Sequence, residues 1–275
     1  YLLILLFAVI GLLLLCTSHD LLSAYLAIEL VSLSSYLLAS LKKNSSYSVE
    51  AGIKYLITGS ISSAFFLLGS SFIYASIGTI YISDIWSLFA DVTWLQEQQQ
   101  KVFWQEMCIQ SDLEPAEEFL EDVFLNKYFD WHAYNIVSYF LKIMAYKTFF
   151  SNLPVFSECF EFLEPFIEIG LTFIVFSLFI KLALAPFHLW SLDVYEGSPT
   201  ISTFFFAVIT KLSIFVFLTR ICYSTIHFKE SWQFYAIIVS LLSVFVGSFG
   251  GLRQKKLKTL LAYSSVSHMG YVLLS

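Results

Sequence analysis

Charged residues are scarce in this chain of 275 residues, at 13% of the total, whereas soluble domains carry about 25%. Its four cysteines lie far apart without a C-x-x-C pair, so the spacing indicates neither a zinc site nor a disulfide framework. Glycine-rich nucleotide-binding motifs and long basic tracts are also lacking, which argues against nucleotide or nucleic-acid binding. These absences exclude most soluble enzyme classes.

Long apolar runs are abundant instead: 58% of the residues are hydrophobic and the mean hydropathy is +0.75. Runs of this length predict an all-α, polytopic bundle of transmembrane helices. Seven spans are expected, at residues 2–16, 21–41, 50–78, 168–190, 199–220 and 232–250, and from 260 onward. Ser18 or Asp20 is a candidate N-cap for the second, and Gly197-Ser198-Pro199 predicts a turn, an N-cap and a first helical residue before the fifth.

The long connection between the third and fourth spans differs in composition, because it holds most of the 21 acidic residues. Within it, residues 111–127 predict an amphipathic helix, and residues 131–150 are interpreted as a surface helix rather than an additional span. The short loops with Lys42, Lys43, Arg253, Lys255, Lys256 and Lys258 all fall on one side of the membrane. The positive-inside rule assigns that side to the cytoplasm, or to the matrix of a mitochondrion, and the acidic insert to the opposite side.

Four ionisable side chains lie within the predicted spans: Glu29, Lys54, Lys181 and Lys211. Each costs roughly 2.5–3.5 kcal/mol at a helix centre, so they are expected to face the bundle interior and to pair with one another. The three cations are lysines, which can lose a proton when buried, whereas arginine stays charged. One carboxylate and several lysines therefore favour a proton relay, to which His188 and His268 are weaker candidate contributors.

The stretch KLALAPFHLWSLDVYEGSPT, residues 181–200, is central to this hypothesis. Pro186 lacks an N–H and is expected to break the fourth span five residues after Lys181. A cation beside the C-terminal end of a broken helix is typical of transporters. The structural alternative is a kinked helix whose lysine pairs with a carboxylate.

FIKLALAPFHLWSLDVYEGSPT, VITKLSIF and RQKKLKTLLAYSSVSHMGY together resemble the antiporter-like subunit 2 family of respiratory complex I. SHDLLSAYLAIELVSLSSYLLAS and EAGIKYLITGSISSAFFLLG fit the same family. The resemblance implies an antiporter-like fold with a broken helix, comprising the first five-helix repeat and the start of the second. By motif, it matches Glu29, Lys54, Lys181 and Lys211 to the family's glutamate of the fifth helix and lysines of the sixth, seventh and eighth helices.

The resemblance further implies three segments: residues 1–90 with the family's helices 4–6, an acidic extramembrane insert at 91–167, and residues 168–275 with helices 7–10. The insert has no evident family counterpart. The family's last helices are absent from the sequence, so either the subunit is split, with a second polypeptide supplying them, or the sequence is partial; a split subunit is expected.

The expected function is proton translocation in the membrane arm of mitochondrial complex I, in the inner membrane, together with the other membrane-arm subunits and lipids. A plastid or bacterial origin remains open. The expected chain has no cofactor of its own, and NADH, FMN, iron–sulfur clusters and ubiquinone are used by other subunits. Two alternatives remain open: a subunit of a stand-alone cation/proton antiporter, and a structural subunit whose half-channel is inactive.

Overall fold

A computed structural model describes the backbone of residues 1–42, 44–85, 155–225 and 229–275, with side chains omitted for 155–164 and 229–231. Residues Tyr1–Phe89 and Pro165–Ser275 form one compact unit, and Ala90–Glu164 form another. The helices expected at 111–127 and 131–150 lie outside the described residues.

The described residues are mostly helical, which confirms the predicted class. The helices are α1 (Leu2–Thr17), α2 (Leu21–Ala39), α3 (Ser46–Ile77), α4 (Val155–Leu182), α5 (Leu189–Gly197), α6 (Thr200–Ser224), α7 (Lys229–Leu252) and α8 (Leu257–Leu274). Asp20 is the N-cap of α2, where its side chain accepts a hydrogen bond from the Ser23 N–H. Pro199 occupies the N-cap of α6 rather than its first helical position.

Five helical segments in the described chain are long and apolar enough to cross a bilayer: Leu21–Ala39, Ser46–Ile77, Pro165–Leu182, Thr200–Ser224 and Trp232–Leu252. The two other predicted spans do not meet this measure. Helix α1 is apolar but has only 16 residues, and α8 carries lysine, histidine and several serines among its 18 residues. Helix α3, with 32 residues, is about 48 Å long, so its ends extend beyond a hydrocarbon core of about 30 Å.

The short helix α5 is central to the packing, because it contacts both α3 and α8. Helix α2 packs against α1, α3 and α6, and α7 packs against α8. Helices α3 and α4 cross where Gly69 and Gly170 face each other. A Cβ on Gly170 would lie 2.9 Å from the Gly69 carbonyl oxygen, so this approach requires a residue without a side chain.

Contacts near the helix ends group the connections at two ends of the bundle. At one end, the Arg220 guanidinium donates to the Cys16 carbonyl and contacts His19 Nδ1, both at 3.2 Å. At the other end, Lys256 pairs with Glu196, and Lys54 with Asp193. This alternation agrees with the loop order used to infer the orientation.

Candidate functional site

Helix α4 ends at Leu182, four residues before the proline that the sequence analysis held responsible for the break. Ala183 takes a left-handed conformation with φ of +57°. Its N–H donates to the Ile180 carbonyl at 3.1 Å, and the Leu184 N–H donates to the Phe179 carbonyl at 3.2 Å. This pair of hydrogen bonds is a Schellman motif, which terminates a helix and satisfies two of its last carbonyls. Lys181 is therefore in the last turn of α4, as predicted.

Two side chains from outside α4 support the segment after the break. The Trp190 indole N–H donates to the Ile180 carbonyl at 3.0 Å, and its ring stacks on Tyr55 with centroids 4.8 Å apart. From α7, the Ser243 hydroxyl accepts the Ala185 N–H at 2.9 Å. Without Ser243 that buried N–H would lose its partner, which costs about 1–3 kcal/mol.

Lys181 lines a cavity of about 30 Å³ among α1, α2, α3, α4, α6 and the residues after the break. That volume can hold one or two water molecules. Four hydroxyl-bearing residues are among those that line it: Ser32, Thr58, Ser62 and Thr210. An ammonium group beside several hydroxyls and space for water is a chemical setting in which a proton can be exchanged.

Glu29 is half-buried on α2, and its charge acts attractively on Lys181. No ion pair within 4.0 Å joins the two among the described side chains, where Ser32 is the neighbour of the Glu29 carboxylate at 3.4 Å. Glu29 and Lys181 therefore make no direct contact among the described side chains, and a coupling between them stays a prediction.

Lys211 is the most deeply buried of the predicted residues, with 3% of its surface exposed. Its ammonium donates to the Ser265 hydroxyl on α8 at 3.0 Å, and that hydroxyl donates in turn to the Ala262 carbonyl at 2.8 Å. Among the described groups Lys211 has no anionic partner within 4.0 Å.

Lys54 is placed differently from the other two lysines, because its side chain is 43% exposed. It pairs with Glu50 at 2.9 Å and with Asp193 on α5 at 2.6 Å. Lys54 does not pair with Glu29, Lys181 or Lys211, which differs from the expectation that the four charges pair with one another. Since α3 is longer than the bilayer, its N-terminal turns can carry these charges beyond the hydrocarbon.

A second ion pair fastens α5 at the same end, between Glu196 and Lys256. The hydrogen bond and charge of the Glu196 carboxylate raise the pKa of the Lys256 ammonium above its ordinary value. Helix α5 is thus tied to α3 through Asp193 and to the start of α8 through Glu196.

The two histidines proposed as weaker contributors to the relay occupy different environments. His188 lies in the segment after the break and is 8% exposed. Its ring is 6.1 Å from that of Tyr263. His268 is exposed on α8, one turn beyond Ser265.

Several polar partners of the predicted residues have no signal in the sequence: Ser265, Ser243 and Asp193. The spacing of Glu50 and Lys54, four residues apart on one helix, was the only local signal for any of these contacts. The other partners are distant in sequence and become neighbours only when the helices pack.

Residues 18–111 and 127–275 match the model of the NADH:quinone oxidoreductase/Mrp antiporter transmembrane family. The match includes residues 91–111 and 127–167, so most of the segment that lacked an evident counterpart aligns with the family. Among the described residues no cluster of histidine, cysteine, aspartate and glutamate could hold a metal ion.

The chain is 32% identical over 274 residues to "NADH-quinone oxidoreductase subunit N" of a Wolbachia species, covering 99% of this chain and 44% of the relative. It is 30% identical to "NADH-ubiquinone oxidoreductase chain 2" of Marchantia polymorpha, covering 94% and 40%. Among solved structures, a chain of respiratory complex I from Thermus thermophilus is similar, with a TM-score of 0.63 and 25% identity over 98% of this chain and 43% of that one. The chain thus spans less than half the length of these relatives.

The resemblance inferred from the motifs is confirmed by these matches. Since the family model covers most of the sequence, the chain is a member of the NADH:quinone oxidoreductase/Mrp antiporter transmembrane family, and the relatives named above are subunit N or chain 2 of that oxidoreductase.

Proposed function

We propose that this chain is the proton-conducting part of an antiporter-like subunit in the membrane arm of respiratory complex I, in the mitochondrial inner membrane. The proposal rests on a set of ionisable and polar groups inside the bundle. Lys181 adjoins a cavity with room for water, Glu29 acts on it from α2, and Lys211 is enclosed with only a hydroxyl partner. The names of the relatives support the assignment to complex I.

The proposed mechanism is electrostatic. While Glu29 is ionised, its attraction favours the charged form of Lys181. When another positive charge comes close to Glu29, it cancels the attraction of Glu29 for Lys181. Lys181 then releases its proton into the cavity, toward Lys211. Because Lys211 is deeply buried, its charged form is poorly stabilised and its proton is readily passed on. Lys54 has a modulating role, since its charge links α3 to the short helix behind the break.

In this proposal the enzymatic activity belongs to the whole assembly, NADH:ubiquinone reduction coupled to proton pumping. The redox cofactors are NADH, FMN, iron–sulfur clusters and ubiquinone in partner subunits. The chain matches less than half the length of these relatives, and a second polypeptide that supplies the remaining length is part of the proposal. Mass spectrometry of the natively purified assembly tests this, because a single longer chain containing this sequence would contradict a split subunit.

The decisive experiment measures NADH oxidation and proton uptake by vesicles holding the assembled complex. Lys181→Ala and Lys211→Ala are each expected to lower proton uptake at least tenfold. Lys255→Ala is the matched control, because it removes the same charge from an exposed loop position. Normal uptake in both buried-lysine variants, with normal assembly, would refute proton conduction and support a structural half-channel.

The family also includes Mrp antiporters, which makes a stand-alone cation/proton antiporter the second candidate. Purification of the native assembly separates the two. Redox subunits are expected to copurify with this chain, whereas an assembly of antiporter-type subunits alone would replace the complex I proposal.

A further inference from the structure

Arg220, near the C-terminal end of α6, is one of only two arginines in the sequence. Its side chain is half-buried, and its guanidinium makes two contacts, with the Cys16 carbonyl and with His19 Nδ1, both at 3.2 Å. A guanidinium has donors and no acceptor, so the imidazole nitrogen accepts the second hydrogen bond. Arg220 therefore joins α6 to the connection between α1 and α2.

The connection between α1 and α2 is also held from its other side, by the residues that follow α3. The Leu21 N–H donates to the Ile80 carbonyl, and the Ile82 N–H donates to the His19 carbonyl, both at 3.0 Å. Backbone hydrogen bonds thus fix the two groups that receive the Arg220 guanidinium. The charge of Arg220 is consequently held in one place, at the end of the bundle opposite the basic loops.

The cavity described above reaches the residue that precedes the Arg220 contact. Leu15 on α1 lines the cavity and is 1% exposed, and the next residue, Cys16, provides the carbonyl that Arg220 binds. On α6, Ile214 lines the cavity, and Arg220 lies about 9 Å farther along the helix axis. His19, the other contact of the guanidinium, is exposed. Arg220 therefore lies between the cavity and the water at this end of the bundle.

The positive charge of Arg220 is not cancelled by a partner in the described part of the chain. No acidic side chain there lies within 4.0 Å of the guanidinium, and its two acceptors are a carbonyl oxygen and an imidazole nitrogen. Arginine keeps its proton under ordinary conditions, whereas a buried lysine can release one. Lysine is therefore suited to passing protons, and arginine is suited to a fixed charge that repels them.

We infer that Arg220 is a barrier residue, whose fixed positive charge prevents protons in the cavity from exchanging with water at the end of the bundle opposite the basic loops. A second positive charge beside the guanidinium is raised in energy, and arginines exclude protons from selective channels in this way. No proton is transferred to or from Arg220. The inference rests on the proposed function, since a barrier has a purpose only beside a proton-conducting route.

The test measures passive proton leak through the assembled complex. Vesicles holding the complex receive a pH gradient without NADH, and an entrapped pH-sensitive dye records how fast the gradient decays. Arg220→Gln is expected to speed the decay about tenfold, the effect of removing one unit charge beside the route. Arg253→Gln, which removes the other arginine at an exposed position, is the matched control and should leave the decay unchanged. An unchanged decay in Arg220→Gln would overturn the inference.

Arg220→Lys separates the charge from the bridge between helices. Lysine keeps the positive charge, but its single ammonium lacks the planar fork that reaches two acceptors. The leak of Arg220→Lys is therefore expected to stay within about twofold of that of the unmodified complex. A leak as fast as that of Arg220→Gln would show that Arg220 only links α6 to the connection between α1 and α2, and would refute the barrier.

Two variants of His19 cancel or keep the charge while Arg220 stays in place. His19→Asp puts a carboxylate beside the guanidinium, whereas His19→Asn puts a neutral amide of the same size there. His19 is exposed, so both variants are expected to assemble, and they decide the question if Arg220→Gln does not. The leak should rise in His19→Asp and stay unchanged in His19→Asn. Equal leaks in the two variants would contradict the electrostatic barrier.

Lys211→Ala shows whether the leak uses the proposed relay and distinguishes the two levels of failure. In an Arg220→Gln background, Lys211→Ala is expected to return the decay to the rate of the unmodified complex. A leak that persists bypasses the relay and refutes the inference. If Lys211→Ala alone abolishes NADH-driven uptake while Arg220→Gln does not leak, only the inference fails. If Lys211→Ala leaves that uptake intact, the proposed function fails and the inference fails with it.

Discussion

Replacement of Lys211 by methionine should separate the needs of folding from those of function. Lysine and methionine are similar in length, and position 211 is 3% exposed. A charged lysine at a helix centre costs about 2.5–3.5 kcal/mol, and a hydrogen bond from a charged donor returns about 1.5–3 kcal/mol. The balance against lysine is therefore about 0–2 kcal/mol. Methionine removes both contributions and keeps the packing.

We therefore expect Lys211→Met to leave the unfolding free energy unchanged or to raise it by up to about 2 kcal/mol. The thermal unfolding midpoint of the assembled complex should stay constant or rise by a few degrees. Proton uptake in vesicles should fall at least tenfold, because methionine cannot carry a proton. Leu212→Met is the control on the same helix, since that side chain is 67% exposed.

The result that would refute this reasoning is a clearly lowered midpoint in Lys211→Met with an unchanged midpoint in Leu212→Met. Such a loss would mean that the ammonium stabilises the fold by more than its burial costs. Lys211 would then be a structural cation, and its position at the centre of the proposed relay would have no functional meaning.

Three further predictions follow from other contacts. Gly170→Leu should prevent stable assembly, because a side chain there meets the backbone of α3, and such overpacking costs about 1–3 kcal/mol. Gel analysis of the native complex measures how much of the complex assembles. Trp190→Phe keeps a ring against α3 but loses the hydrogen bond to the Ile180 carbonyl. The unfolding free energy should therefore fall by about 1 kcal/mol, which thermal scans would record as a lower midpoint. Glu196→Gln should lower the pKa of Lys256 toward its ordinary value, because a raised pKa keeps the amine protonated to higher pH. The Lys256 amine of the variant should therefore react faster with an acylating reagent near pH 10, as measured by peptide mass spectrometry. An equal rate would contradict the ion pair.

The helices of the described chain could be predicted from sequence because each is set by a local pattern. Apolar runs of sufficient length predict helices in a bilayer, and Asp20 is a capping residue directly before such a run. The helix ends were less predictable. Helix α4 ends at Leu182 because Ala183 adopts a left-handed conformation, and alanine gives no sequence signal for that choice.

The sequence by itself determined which ionisable residues would be costly to place in lipid. Glu29, Lys181 and Lys211 lie in apolar runs, and no tertiary structure is needed to see that. The tertiary structure decided what each one contacts. Ser265 is 54 positions from Lys211, and Asp193 is 139 positions from Lys54, so neither contact has a local signature. The apolar character of a run is a property of the local sequence, whereas the burial and the hydrogen-bond partner of each side chain are decided by how the helices pack.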